Sequence, residues 1–218
     1  MTISPTTIAV FGASGATGLA LCEQALAAGH CVIAAVRRPQ DFPIRHDRLT
    51  ARKADVSDSA GLADLIAGTN AVCSTLGAPY SRKEITVYSQ GAFHIVAAMR
   101  ETGVRRLVVV SAGLTFKPPK VYGPVMDWIV IPLLRGRFGK TLYEDMRRME
   151  SLLETCDDID WTIMRPARLE DREGVTDYTN DGDFPLRNFT ARSALAAAMC
   201  AELGPDGHIH QRVSPTTR

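Results

Sequence analysis

The sequence lacks an excess of either charge: 25 lysines and arginines stand against 24 aspartates and glutamates, a net charge of +1. That balance gives no electrostatic case for a nucleic-acid or anionic-membrane partner, and any such partner would need a local patch. Long hydrophobic runs are missing too. The densest, Met126 to Leu134, is broken by Asp127 and Pro132 and is far below the roughly 20 residues that span a bilayer. No basic stretch followed by a long apolar one opens the chain, so no secretory leader is expected. Cysteine pairs are absent as well: Cys22, Cys31, Cys73, Cys156 and Cys200 are odd in number, scattered and without C-x-x-C spacing. They read as buried thiols of a soluble, cytoplasmic protein. His208 and His210 have no third His or Cys at ligand spacing, which argues against a metal site. Ala16 stands where a G-x-S-x-G nucleophile elbow around Ser14 would need glycine, which argues against hydrolase chemistry.

What is present is a rhythm of short β-branched runs and helical patterns over 218 residues, 45% of them hydrophobic. Strands are expected at Thr7–Phe11, Cys31–Val36, Leu49–Ala54, Ala71–Thr75, Leu107–Ser111 and Asp160–Met164. The crossovers between them predict one α/β domain over 1–218, a Rossmann-type doubly wound parallel sheet in the order 3-2-1-4-5-6 with helices on both faces. Helices are expected over Ala16–Ala28, Ala60–Ala67 with Asp55 or Asp58 as a cap, Lys83–Thr102, Thr141–Thr155 and from an N-cap at Thr190 to Gly204. Two irregular stretches, 113–140 and 167–189, follow late strands and are the candidate substrate walls. Within the first, "MDWIVIPLLRGRF" reads as a helix on the core, a pocket wall or a subunit contact. Trp128, Phe116 and Phe138 would suit a planar acceptor.

The most informative stretch is "FGASGATG". Gly12, Gly15 and Gly18 follow a strand and lead into a helix, the context in which three glycines allow a sharp turn, close backbone approach to a pyrophosphate and tight helix packing. The gaps hold only small residues, Ala13, Ser14, Ala16 and Thr17, leaving room for a ligand against the helix-start amides. A plain glycine-rich connector is the alternative. The second strand ends in Arg37 and Arg38 where an NAD site usually has an acid, which favours NADP(H) over NAD(H) through pairing with a 2′-phosphate. Asp55 and Val56 end the third strand, placed to meet an adenine, and Gly77 lets the chain past a ribose after the fourth.

Together "FGASGATG", "VRRP", "ADVSD", "STLGAP", "QGAFHIVAAMRETGVRRLVVVSAG" and "WTIMRPARLED" resemble the atypical short-chain dehydrogenase/reductases, in particular their NADPH-dependent flavin-reductase (biliverdin-IXβ reductase) and NmrA-like groups. The resemblance implies that Gly12, Ala13, Ser14, Gly15, Ala16, Thr17 and Gly18 hold the pyrophosphate, and Arg37 and Arg38 the 2′-phosphate. It implies that Asp55 and Val56 meet the adenine, and Leu76 and Gly77 the adjoining ribose. Ser111 would then sit beside the nicotinamide, with Pro166, Ala167 and Arg168 closing over its carboxamide. Arg168 has a second reading as a surface ion pair with Glu170 or Asp171.

The chain departs from the usual Tyr-x-x-x-Lys pair, having Tyr143-x-x-x-Arg147 with Lys140 on the other side. It also has Ala167 and Arg168 near where the flavin reductases carry a histidine. Tyr143 remains the candidate acid. Without an evident proton donor, the resemblance implies an NADPH-dependent reductase that passes hydride to a planar conjugated small molecule, a flavin or quinone. The alternative is an NmrA-like NADP(H)-sensing protein without turnover.

Overall fold

A computed structural model describes residues 6–217 except 121, 173 and 206. Its central sheet has seven parallel strands, formed by β1 (Thr7–Phe11), β2 (Cys31–Val36), β3 (Leu49–Lys53), β4 (Ala71–Ser74), β5 (Arg106–Val110), β6 (Asp160–Met164) and a late strand, Gln211–Val213. The order across the sheet is late strand, β6, β5, β4, β1, β2, β3. This is the expected doubly wound order, extended at one edge by a strand that no hydrophobic run announced.

Alternation along each strand divides the interior in two. In β1, Ala9 and Phe11 face one layer with Val72, Leu107, Val109 and Ile163, while Ile8 and Val10 face the other with Val32, Cys73, Val108 and Met164. The first layer is covered by α2 (Leu62–Ile66), α3 (Val87–Thr102) and α5 (Lys140–Glu154). The second is covered by α1 (Ala16–Ala27) and α6 (Arg192–Ala201), which pack on each other. Between β5 and α5 lies a further helix, α4 (126–138). Its wide turns, Met126–Val130 and Leu134–Phe138, flank one α-turn at Ile131–Leu133. Pro132 has no N–H to give, so the bonding around it reaches one residue further than in an ordinary α-helix.

Four short strands complete the chain: β7 (Arg168–Glu170), β8 (Tyr178–Asn180), β9 (Phe189–Ala191) and, after the late strand now numbered β10, β11 (Pro215–Thr217). β7 pairs with β9 and β8 with β11. Thr190 therefore lies in a strand and caps nothing. Its hydroxyl donates to Pro215 O at 2.6 Å and accepts from Ala167 N–H at 3.0 Å, tying β11 to the end of β6. Likewise α2 starts after Gly61 without a side-chain cap, because Asp55 and Asp58 turn back on Ser57 and Ala60.

Helix α3 begins four residues later than its apolar stripe suggests, and its cap comes from another helix. The buried carboxylate of Asp145 on α5 accepts from Tyr88 N–H at 2.9 Å and from the Ser89 hydroxyl. A negative group at a helix start meets unpaired amides and the positive end of the dipole. Replacing Asp145 with alanine strands those donors in the core. We expect a loss of about 1.5–3 kcal/mol in urea unfolding, the range for hydrogen bonds to a charged group.

Candidate functional site

The strand order reverses between β1 and β4, and at the carboxyl ends of the strands there a cleft of about 1450 Å³ opens. The β1–α1 turn forms its floor. Gly12 takes φ +76°, and a Cβ there would stand 2.7 Å from the carbonyl carbon of Thr75. Ser14, Gly15, Ala16 and Thr17 line the cleft. The first backbone bond of α1 runs from Leu19 N–H to Gly15 O at 2.8 Å. Gly15 supplies no side-chain cap, and the first turn has no acid, so the positive end of α1 is uncompensated by its own sequence. Ala13 and Gly18 do not line the cleft. Both are buried beneath the turn, where a Cβ on Gly18 would stand 2.3 Å from Gly12 O.

The two arginines after β2 part company. Arg37 lines the cleft, whereas Arg38 does not; its side chain is 78% exposed and pairs with Asp41 at 3.2 Å. Consecutive residues of an extended strand end point to opposite sides, and the tight turn Pro39–Asp41 carries the carboxylate back to the outer one. Asp55 and Val56 form the next stretch of wall, then Leu76 and Gly77. Ser57 donates both its N–H and its hydroxyl to Asp55 Oδ1, at 3.0 and 2.8 Å. Those bonds, with nearby Arg37, hold the Asp55 carboxyl below the usual range. Gly91 on α3 lets Leu76 and Val56 close in, since its Cβ would meet Leu76 Cδ1 at 2.7 Å.

At the far end, Ser111 lines the cleft but spends its proton inward. Its Oγ donates to Glu150 Oε1 at 2.6 Å and lies 3.0 Å from Thr115 Oγ1. Glu150 is fully buried and paired with Arg165, which is itself buried and stacked 4.7 Å from the Phe116 ring. Arg212 approaches the same carboxylate at 3.5 Å. With its hydrogen committed to a carboxylate, Ser111 offers the cleft an acceptor lone pair. Glu150 is the candidate site residue that sequence reasoning missed. It sits four residues after Met146 on the inward face of α5, and a carboxylate at a core position of a helix was the available signal.

Tyr143 also lines the cleft, with its hydroxyl 3.0 Å from that of Tyr80. Burial first, then the Tyr80 hydroxyl, pushes its phenol well above the ordinary tyrosine range. Arg147, four residues on, is turned to Thr115 O at 2.8 Å, and Arg135 is the cation that acts on the phenol. Pro166, Ala167 and Arg168 form the upper wall. The Arg168 guanidinium pairs with Glu170, the surface arrangement that was its second reading. None of the three aromatics suited to a planar acceptor lines the cleft: Phe116 lies under Arg165, while Trp128 and Phe138 face outward. α4 contributes Met126, Ile131 and Leu134 to the wall instead. Among the described residues, Arg37, Arg168, Arg187 and Arg192 line the cleft against one carboxylate, Asp55, so it is suited to an anionic ligand.

Comparison with known proteins bears on the family and the fold. A family model described as NAD(P)H-binding matches residues 12–204. A UPF0659 protein of Schizosaccharomyces pombe is 26% identical over 182 residues, covering 78% of this chain and 73% of its own. A Streptococcus pneumoniae protein provisionally assigned as an NADH-flavin reductase superposes with a TM-score of 0.78 at 24% identity, covering 98% of this chain and 100% of its own. A wide-type short-chain dehydrogenase/reductase from Veillonella parvula, solved in complex with NADP, gives 0.78 at 16% identity, over 97% of this chain and 94% of its own.

Proposed function

The chain belongs to the NAD(P)H-binding family, and we propose that it is an NADPH-dependent reductase passing hydride to a planar conjugated acceptor of the flavin or quinone kind. The observation that carries this reading is one continuous cleft, from the uncompensated start of α1 at one end to Ser111 and Tyr143 at the other. Its volume of about 1450 Å³ exceeds that of an ordinary single-ligand pocket, roughly 300–1,000 Å³. That is room for a dinucleotide with a second planar molecule beside it.

In this reading the amides at the start of α1, with Ser14 and Thr17, hold the pyrophosphate. Gly12, Ala13 and Gly18 shape the turn from beneath, and Gly15 and Ala16 leave it open. Arg37 meets the 2′-phosphate, Asp55 and Val56 the adenine, and Leu76 and Gly77 the ribose. Ser111, held by Glu150, accepts from the carboxamide, and Pro166 to Arg168 close above it. NADPH, when bound, supplies the hydride. Tyr143 is held by Tyr80 as a wall of the acceptor pocket, and its raised pKa makes it a poor acid, so the acceptor's proton comes from water at the cleft mouth. The scattered, mostly buried cysteines support the cytoplasmic reading.

The unactivated Tyr143 also favours a second reading, a protein that senses NADP(H) without turnover. Following NADPH absorbance with purified protein and a panel of flavins and quinones separates the two. Oxidation of the cofactor supports the reductase; tight binding with no oxidation across the panel supports the sensor.

Cofactor preference rests on Arg37. Replacing it with alanine is expected to weaken NADPH by roughly 10- to 100-fold, the worth of a charge-assisted phosphate contact, and NADH by far less. Arg38→Ala should leave both nearly unchanged. Calorimetry that shows equal weakening of the two dinucleotides by Arg37→Ala removes the NADPH assignment.

A further inference from the structure

The helix that walls the cleft has an outer face that the described residues leave largely exposed. Val125, Trp128, Ile129, Pro132 and Leu133 recur at steps of three and four residues and are all exposed, Trp128 at 67% and Ile129 at 62%. They form one stripe along α4, opposite Ile131, which is buried. Scattered apolar residues on a surface need no explanation, but a stripe of this size does.

The segment that carries it is as uneven in charge as the stripe is apolar. Between residues 113 and 140 stand Lys117, Lys120, Arg135, Arg137 and Lys140 against the single carboxylate of Asp127, a net +4 in a chain whose total is +1. Arg135 turns inward to Leu114 O, but the other four cations are exposed. The Lys120 ammonium lies 3.4 Å from the centre of the Trp128 ring, so a cation and the stripe's largest apolar group occupy the same spot. Among the described residues no helix is long and apolar enough to cross a membrane.

We propose that α4 docks this protein on the surface of an anionic lipid bilayer. The helix lies in the plane of the interface, its stripe at the acyl boundary and Lys117, Lys120, Arg137 and Lys140 among the headgroups. A tryptophan with its amphipathic ring is suited to that depth. Charge decides between occupants. A two-fold contact with a second copy would set the same cationic surface against itself, whereas anionic headgroups complement it. The balanced net charge of the whole chain conceals this, because the compensating acids lie elsewhere. The inference is independent of the cofactor and of turnover.

The test is sedimentation of the full chain with vesicles of phosphatidylcholine alone or mixed with phosphatidylglycerol. The protein should bind the mixed vesicles, with roughly tenfold weaker binding to the uncharged ones and a similar loss at high salt. Trp128 emission should shift to the blue on binding, while buried Trp161 contributes a constant background. The double substitution Trp128→Glu with Ile129→Glu, at positions outside the cleft wall, should reduce binding at least about tenfold. It should keep the native circular dichroism and melting transition. Sedimentation with neither vesicle, or equally with both, overturns the proposal. So does a dimer in sedimentation velocity that the same substitutions abolish, in a protein that ignores vesicles.

Discussion

Gly18→Ala is expected to destabilise the protein by about 3 kcal/mol, the upper part of the range for forcing an atom into a packed interior. The added methyl would stand 2.3 Å from Gly12 O and 2.7 Å from Ala13 Cα. Both obstacles are backbone atoms, so no rotamer change relieves the overlap and α1 must move away from the turn. That movement displaces the amides at its start, and in the proposed reductase NADPH turnover should fall by about 100-fold, the usual consequence of a shift near one ångström in a binding constellation. Gly15→Ala makes the informative contrast. Its methyl would meet only Gly12 O, at 3.3 Å, so stability should change by less than about 1 kcal/mol. Gly15 lines the cleft, however, and in the proposed cofactor site the change should cost NADPH affinity about tenfold. Urea unfolding and calorimetry on the two variants separate the roles. Unchanged NADPH affinity in Gly15→Ala would remove the pyrophosphate from this turn.

Glu150→Leu is expected to cost about 3–5 kcal/mol, because it leaves a buried guanidinium without its counter-charge. Arg165 has a side chain only 5% exposed, whereas Arg212 keeps Glu154 as a second partner. Arg165→Met should be costly for the mirror-image reason. The double variant Glu150→Leu with Arg165→Met should regain most of the lost stability, since an apolar pair of similar volume removes both desolvation costs. Turnover in the proposed reductase should not return with it. Ser111 would have lost the acceptor that fixes its hydrogen, and we expect kcat to stay roughly tenfold down with a smaller change in KM. Recovery of kcat along with stability would make the ion pair structural only and leave Ser111 to orient itself.

Much of this molecule was legible from residue types alone, and the reasons are local. β1, β2 and β6 begin and end where their apolar runs do, and the crossover pattern dictated a parallel sheet in the observed order. Gly12 and Gly18 were readable because glycine is the only residue that tolerates what the turn demands of the backbone. Adjacent positions behaved differently. Arg37 and Arg38 are identical in chemistry, yet Asp41 takes the second. Thr190 has the residue type of a helix cap and works as a strand tie, because Pro215 O and Ala167 N–H arrive from distant parts of the chain.

The sequence by itself determined the layered sheet, the small-residue turn and the helix that follows it, since each depends on side-chain volume, backbone freedom or periodicity within a few residues. Only the tertiary structure decided which arginine faces the cleft, that Asp145 caps a helix other than its own, and that Glu150 pairs with Arg165 behind Ser111. It likewise turned the apolar stripe of α4 outward and its other face into the wall. The reason is that charge pairing and exposure are settled by which segments meet, and those partners lie tens of residues apart along the chain.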